Sequence, residues 1–168
     1  GNHTVPTKGE DGFVAKYKSD GTLAWDFSFG GTDSDKGNLI NNNPLDGGFY
    51  LAGKFRSTSF DLPSFGSSSP VSLSLTGTAP RSDVFLARYD ADRNLIWAFT
   101  LGGVWDDQMD GMAVDGSGNV YVAGTMRAEV NFNPLGPSQI LTLPVYAPFV
   151  AKYHPDGQLE WVRFLYDP

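Results

Sequence analysis

Hydrophobic and polar residues alternate with a period of two over most of the chain. Phe13, Ala15 and Tyr17 fall on one side of a stretch whose other side carries Val14 and Lys16, and Trp25, Phe27 and Phe29 again share a face. Successive side chains of an extended chain point to opposite sides, so this alternation predicts strands. Between the strands, Ser19-Asp20-Gly21, Asp115-Gly116-Ser117-Gly118-Asn119 and Asp156-Gly157 supply the residues that tolerate positive φ in tight turns. No convincing long helical pattern is present.

The alternating blocks repeat. Asp11-Gly12-Phe13-Val14-Ala15-Lys16-Tyr17 returns 72 residues on (13 to 85) as Asp83-Val84-Phe85-Leu86-Ala87-Arg88-Tyr89, and 64 residues later (85 to 149) as Pro148-Phe149-Val150-Ala151-Lys152-Tyr153. The same offsets carry Asp20 to Asp92 and Asp156, Leu23 to Leu95 and Leu159, and Trp25 to Trp97 and Trp161. A second block matches Gly30-Gly31 with Gly102-Gly103, and Phe49-Tyr50-Leu51-Ala52-Gly53 with Val120-Tyr121-Val122-Ala123-Gly124. Each full unit holds a variable insert, around Ser59-Phe60-Asp61-Leu62-Pro63 or Val130-Asn131-Phe132-Asn133-Pro134. These inserts run on into Val71-Ser72-Leu73-Ser74-Leu75 and Ile140-Leu141-Thr142-Leu143, which read as hairpin strands. The unit is therefore a four-stranded antiparallel sheet plus an inserted hairpin. Such a sheet has two apolar faces, and neighbouring sheets must stack on it in a line or around a ring.

This pattern resembles the bacterial β-propeller repeat often labelled SBBP. The likeness runs through Asp-Xaa-Phe-Val-Ala-Lys-Tyr, Asp-Gly-Xaa-Leu-Xaa-Trp, Gly-Gly and Asp-Xaa-Xaa-Gly-Asn-Val-Tyr-Val-Ala-Gly, and is nearly continuous from Asp83 to Gly124. The resemblance implies an all-β fold of about two and a half propeller blades. Residues 1–36 would be the outer strands of a partial blade, 37–103 a complete blade with its inserted hairpin, and 104–168 another. Because propellers close with four or more blades, the propeller is incomplete: further blades are expected from a longer chain or from other copies. Arg93 departs from the turn glycine seen at Gly21 and Gly157, Arg163 replaces Phe27 and Phe99, and Tyr166-Asp167 stands where Gly-Gly should be, which predicts a domain end.

Composition fits this reading: 40% hydrophobic residues, 14% aromatic, 20 glycines and 11 prolines suit short strands joined by tight turns. A net charge of −7 argues against nucleic acid and anionic lipid as partners, and no apolar run is long enough for membrane insertion. Without cysteine there are no disulfides, thiolate chemistry or Cys-based metal sites. Asn2-His3-Thr4 matches a glycosylation acceptor, a pattern common by chance.

Candidate chemistry is sparse. One residue per repeat at Phe13, Phe85 and Phe149, at Tyr17, Tyr89 and Tyr153, and at Trp25, Trp97 and Trp161 points to sheet-on-sheet packing, with each indole N–H bonded to a neighbouring carbonyl, rather than to a sugar platform. Lys16, Arg88 and Lys152 suggest one salt bridge or stem-packing role per repeat. Asp90-Ala91-Asp92-Arg93-Asn94 starts like a calcium loop but lacks the closing Glu, and it is similar to the Asp-box turn of sialidase-type propellers. Asp33 and Asp35, with Asp106, Asp107 and Asp110, follow the Gly-Gly corners and are expected on one rim, where two such clusters could bind calcium; acidic loops also keep a repeat surface soluble, and without a full ligand set no cofactor is expected. His3 and His154 lie in unrelated contexts, and no carboxylate pair stands out for glycoside hydrolysis.

Taken with the resemblance, these features predict a non-catalytic bacterial module, extracellular or on the cell surface, serving as a scaffold that presents its inserted hairpins to a protein or carbohydrate partner. Two alternatives stand beside it. One is a structural subunit that assembles edge to edge. The other is an enzymatic propeller of sialidase or quinoprotein type, since Tyr89 to Trp97 is also similar to the tryptophan-docking repeat of the latter.

Overall fold

A computed structural model describes residues 10–66, 69–77 and 80–165. The glycosylation pattern at Asn2, His3 and the Tyr166-Asp167 departure lie outside them. The described chain is all-β, and its strands form antiparallel sheets with no helix among the described residues.

The first sheet is a two-stranded ribbon of β1 (Gly12–Tyr17) and β2 (Leu23–Phe29). The second has the order β3 (Asp35–Asn42), β4 (Phe49–Phe55), β7 (Asp83–Tyr89) and β8 (Leu95–Leu101). Its insert forms a separate hairpin of β5 (Ser59–Leu62) and β6 (Val71–Ser74). The third sheet holds β9 (Gln108–Val114), β10 (Val120–Asn131), β11 (Ile140–Tyr153) and β12 (Leu159–Phe164). Here the insert is no separate hairpin. It prolongs β10 and β11, which pair from Val120↔Tyr153 to Asn131↔Ile140, with a register shift between Met126 and Ala128, where Ala128 takes φ 73°.

Alternation splits the second sheet between two cores. In β7, Phe85, Ala87 and Tyr89 join Val14, Phe27, Phe29, Phe49 and Leu51 between the first and second sheets. The other side of the same sheet, with Val84, Leu86, Trp97 and Phe99, packs on Val122, Phe149, Ala151 and Tyr153 of the third. The ring pairs Phe27–Tyr89, with centroids 5.6 Å apart, and Phe99–Tyr153, at 5.3 Å, are the same contact made twice. A strand buried on both sides by stacked neighbours carries apolar residues at nearly every position, as Asp83–Tyr89 does.

The inserts turn their recurring phenylalanines inward. Phe60 and Phe132 are buried, Phe60 against Phe29, Phe55 and Phe85 and Phe132 against Phe149 and Phe164. A bridge between Gly30 and Asp61 ties the first insert to the end of β2. The inserts close the ends of the cores. The expectation that they display aromatic tips is met only at flanking residues such as Phe65, Ile140 and Tyr146, which are exposed.

Two turns, β7–β8 and β9–β10, are each closed by an aspartate at their first position. Asp90 accepts hydrogen bonds from the backbone N–H of Asp92 and Asn94, and Asp115 does the same for Ser117 and Asn119; Asn94 and Asn119 each return an amide donor to the carboxylate. The apparent calcium loop at Asp90 is therefore a self-bonded turn. Arg93 keeps the left-handed conformation of the glycines it replaces, φ 67° against 82° at Gly21 and 85° at Gly157, with its guanidinium over the rings of Trp25 and Phe65.

Candidate functional site

The aspartates after the Gly-Gly corners occupy equivalent positions, as their spacing predicts. Asp35 is fully buried and accepts hydrogen bonds from the N–H groups of Gly31, Arg56 and Ser57 and from the Ser57 hydroxyl, at 2.6–3.2 Å. Asp107 is equally buried and accepts from the N–H groups of Gly103 and Arg127 at 2.8 and 3.2 Å. Asp35 pins its glycine corner to the residues that follow β4, and Asp107 pins its own to Arg127 within β10. Donor saturation of this kind is the ordinary way to hold a buried carboxylate.

A second carboxylate stands beside each pin. Asp83 is fully buried, accepts from Thr76 N–H through Oδ2, and leaves Oδ1 without a partner. A Cβ on Gly102 would lie 2.5 Å from Asp83 Oδ1 and 2.9 Å from Asp107 Oδ2, so only glycine fits between them. Burial pushes the Asp83 carboxyl up to about 6 and that of Asp107 up to about 7, the latter helped by the charges of Asp83 and Asp106. At the first corner Asp11 plays the part of Asp83: its carboxyl is raised by burial and by Asp35, and Oδ1 is again unpartnered. In the third copy Ala147 stands at this position.

The remaining acids of the rim take other roles. Asp33 accepts from its neighbour Ser34 N–H, Asp106 accepts from the Ser82 hydroxyl and pairs with Arg81 at 3.3 Å, and Asp110 is exposed on β9. Among the described residues no three His, Cys, Asp or Glu side chains are grouped to hold a metal ion. Asp35 and Asp107 in particular turn their oxygens to backbone donors.

Beside these corners the rim is cationic, against the sign of the whole chain. A groove of about 430 Å³ is lined by Ser34, Lys36, Asn38, Lys54, Arg56, Ser82 and Asp106. Lys36 pairs with Glu10, and Arg56 donates to the Pro80 carbonyl through Nε and Nη2. The hydroxyl of Ser82, Arg81 and Lys54 together hold the Asp106 carboxyl below its usual range. Next to Asp106, half-buried Trp105 lies under both Arg81 and Arg127, 4.6 and 4.4 Å from its centroid, and Arg127 also faces Tyr146 at 5.4 Å. Arg56 and Arg127 are repeat equivalents, Arg56 just after β4 and Arg127 within the prolonged β10, and each donates its N–H to the corner aspartate.

This cluster escaped sequence reasoning, which weighed the three repeated tryptophans and the acids. The available signal was Trp105 itself, the one tryptophan outside the repeat, two residues after Gly103.

Of the repeated aromatics, Phe85, Tyr89, Phe149 and Tyr153 are buried in the cores, whereas Phe13 and Tyr17, expected to pack likewise, are 70% and 63% exposed. Trp97 Nε1 donates to the Pro155 carbonyl of the next sheet at 2.9 Å, and Trp25 stacks on Phe49 with centroids 5.8 Å apart. Trp161, with no further sheet on its side among the described residues, meets Tyr121 edge-on within its own sheet. Arg88 pairs with Asp46 and Lys152 with Glu160, each at 2.6 Å, so two of the three repeat cations make the ion pair that the spacing suggested, each with a different partner. His154 lies 3.3 Å from the Asn119 side chain in a turn.

Fold and rim together define an all-β protein of stacked repeat sheets with a cation-rich edge. Compared with known proteins, the chain matches no family model and no curated sequence.

Proposed function

We propose that the chain is a non-catalytic β-propeller module, two full blades and the outer half of another, that works outside the cell or on its surface as a binding scaffold. The blade assignment is supported by the stacking of the sheets through equivalent residues. Secretion and a bacterial source are supported by the resemblance of the repeat.

The observation that carries the binding role is the rim: Lys54, Arg56, Arg81 and Arg127 gather beside Trp105 and Tyr146 on a chain of net charge −7. Arginine and tryptophan are the side chains that most often anchor partners. A groove rich in N–H donors suits the carboxylates of an acidic glycan or of an acidic protein segment.

Titration with oligosaccharides of uronic acids and with neutral oligosaccharides of equal length tests it. The acidic series is expected to bind with an affinity that falls as salt rises, and the double variant Arg56→Ala, Arg127→Ala to lose that binding while keeping its melting temperature within a few degrees. Equal binding of neutral and acidic series, or acidic binding untouched by the double variant, would contradict the rim assignment.

A further inference from the structure

In the second and third sheets the strand carrying the Phe-Xaa-Ala-Xaa-Tyr face lies between two partners, β7 between β4 and β8 and β11 between β10 and β12. Among the described residues the equivalent strand β1 pairs with β2 alone and no strand lies on its other edge. Beside that edge runs a groove in two parts of about 140 and 290 Å³. The groove follows β1 from Phe13 to Tyr17 on one side and β3 from Gly37 to Asn42 on the other, with Leu51 and Phe49 at its floor. It is a continuation of the core between the first and second sheets, to which Val14, Phe49 and Leu51 already belong. Ile40 lines both parts and is 53% exposed, whereas Met112, its equivalent in the third sheet, is packed against the neighbouring core.

We propose that the β1 edge binds an extended antiparallel strand with hydrophobic residues at two alternate positions followed by glycine. The two completed sheets supply the template. Phe49, Leu51 and Gly53 lie opposite Tyr89, Ala87 and Phe85, and Val120, Val122 and Gly124 lie opposite Tyr153, Ala151 and Phe149. Carried onto β1, this register sets a large aliphatic or aromatic residue opposite Tyr17, another opposite Ala15, and glycine opposite Phe13. In both templates the glycine is required chiefly by the inner neighbour: a Cβ on Gly53 would come 1.8 Å from the Lys36 carbonyl oxygen, and one on Gly124 2.0 Å from that of Gln108. Main-chain hydrogen bonds along the open edge give the affinity, and the alternate side chains entering the groove give the selectivity.

The test uses the isotopically labelled chain and a soluble peptide spanning the sequence Ser117–Met126, followed by NMR. The amides of Phe13–Tyr17 and of β3 are expected to shift on titration and to gain protection from exchange. A peptide with aspartate in place of the valine at position 122, which faces Ala15 in the carried register, is expected to bind severalfold more weakly, and Ile40→Asp in the protein, a change at an exposed position, to abolish the shifts. Absence of shifts at millimolar peptide, equal shifts with a scrambled peptide, or shifts unaffected by Ile40→Asp would overturn the proposal. Concentration-dependent self-association of the chain alone, removed by Ile40→Asp, would also overturn it by assigning the groove to a second copy.

Discussion

One motif stands in two environments. In β7, Phe85, Ala87 and Tyr89 are fully buried, enclosed by strands on both edges and a sheet on each face. In β1 the same side chains at Phe13 and Tyr17 are 70% and 63% exposed, while Val14, on the opposite side, is buried against the second sheet. Sequence is shared and burial is not, so the aromatic face of this strand is specified for a cover that its own ribbon does not provide.

The most severe way to break the comparison is truncation. Phe85→Ala or Tyr89→Ala should cost about 3–5 kcal/mol of unfolding free energy, the range for emptying a packed aromatic site, whereas Phe13→Ala should stay within about 0.5 kcal/mol, as surface changes do. Chemical denaturation of the three variants decides it. Similar losses at Phe13 and Phe85 would mean that the β1 face is covered.

The corner carboxyls give the next largest effect. Asp83 and Asp107 have folded values raised to about 6 and about 7 from an ordinary 3.8. Between about pH 4 and 7 the folded protein therefore holds protons that the unfolded chain releases, and stability falls as pH rises through that window, by on the order of a few kcal/mol. Denaturation midpoints should be higher at pH 5 than at pH 8. Asp83→Asn, which removes a buried charge at an oxygen with no donor, should flatten the slope and raise the midpoint at pH 8.

Tryptophan replacement sharpens the same contrast. Trp97→Phe loses the bond to the Pro155 carbonyl and part of an intersheet contact, for about 1–2 kcal/mol, while Trp161→Phe, within a face that no sheet covers among the described residues, should cost clearly less by thermal unfolding.

Most of the architecture was legible from the chain because it is written three times. Period-two alternation located the strands, and the recurrence of Phe, Tyr and Trp identified the packing faces before any contact was known. What recurrence did not reveal is what each copy meets. The inserts read as projecting hairpins, but Phe60 and Phe132 turn inward because the open ends of the two cores offer them more apolar contact than solvent does. The rim acids read as candidate ligands, yet Asp35 and Asp107 bond to backbone N–H groups, a use that depends on how two distant corners approach. The Trp105 cluster draws Arg81 and Arg127 from separate strand ends, so no local pattern contains it.

The smallest expected effect tests the turn rule. Arg93→Gly relieves a left-handed non-glycine residue but removes the guanidinium from over Trp25 and Phe65, so the two effects nearly offset and the net change in stability should be under about 1 kcal/mol.

Native-state hydrogen exchange, read in one experiment on the backbone amides of β1, β7 and β11, tests most directly that these are one interface element in covered and uncovered states. In a dilute sample the account predicts that protected amides of Phe85–Tyr89 and Phe149–Tyr153 exchange only through global unfolding, and that those of Phe13–Tyr17 exchange far faster through local opening. Protection of β1 equal to that of β7 would contradict it.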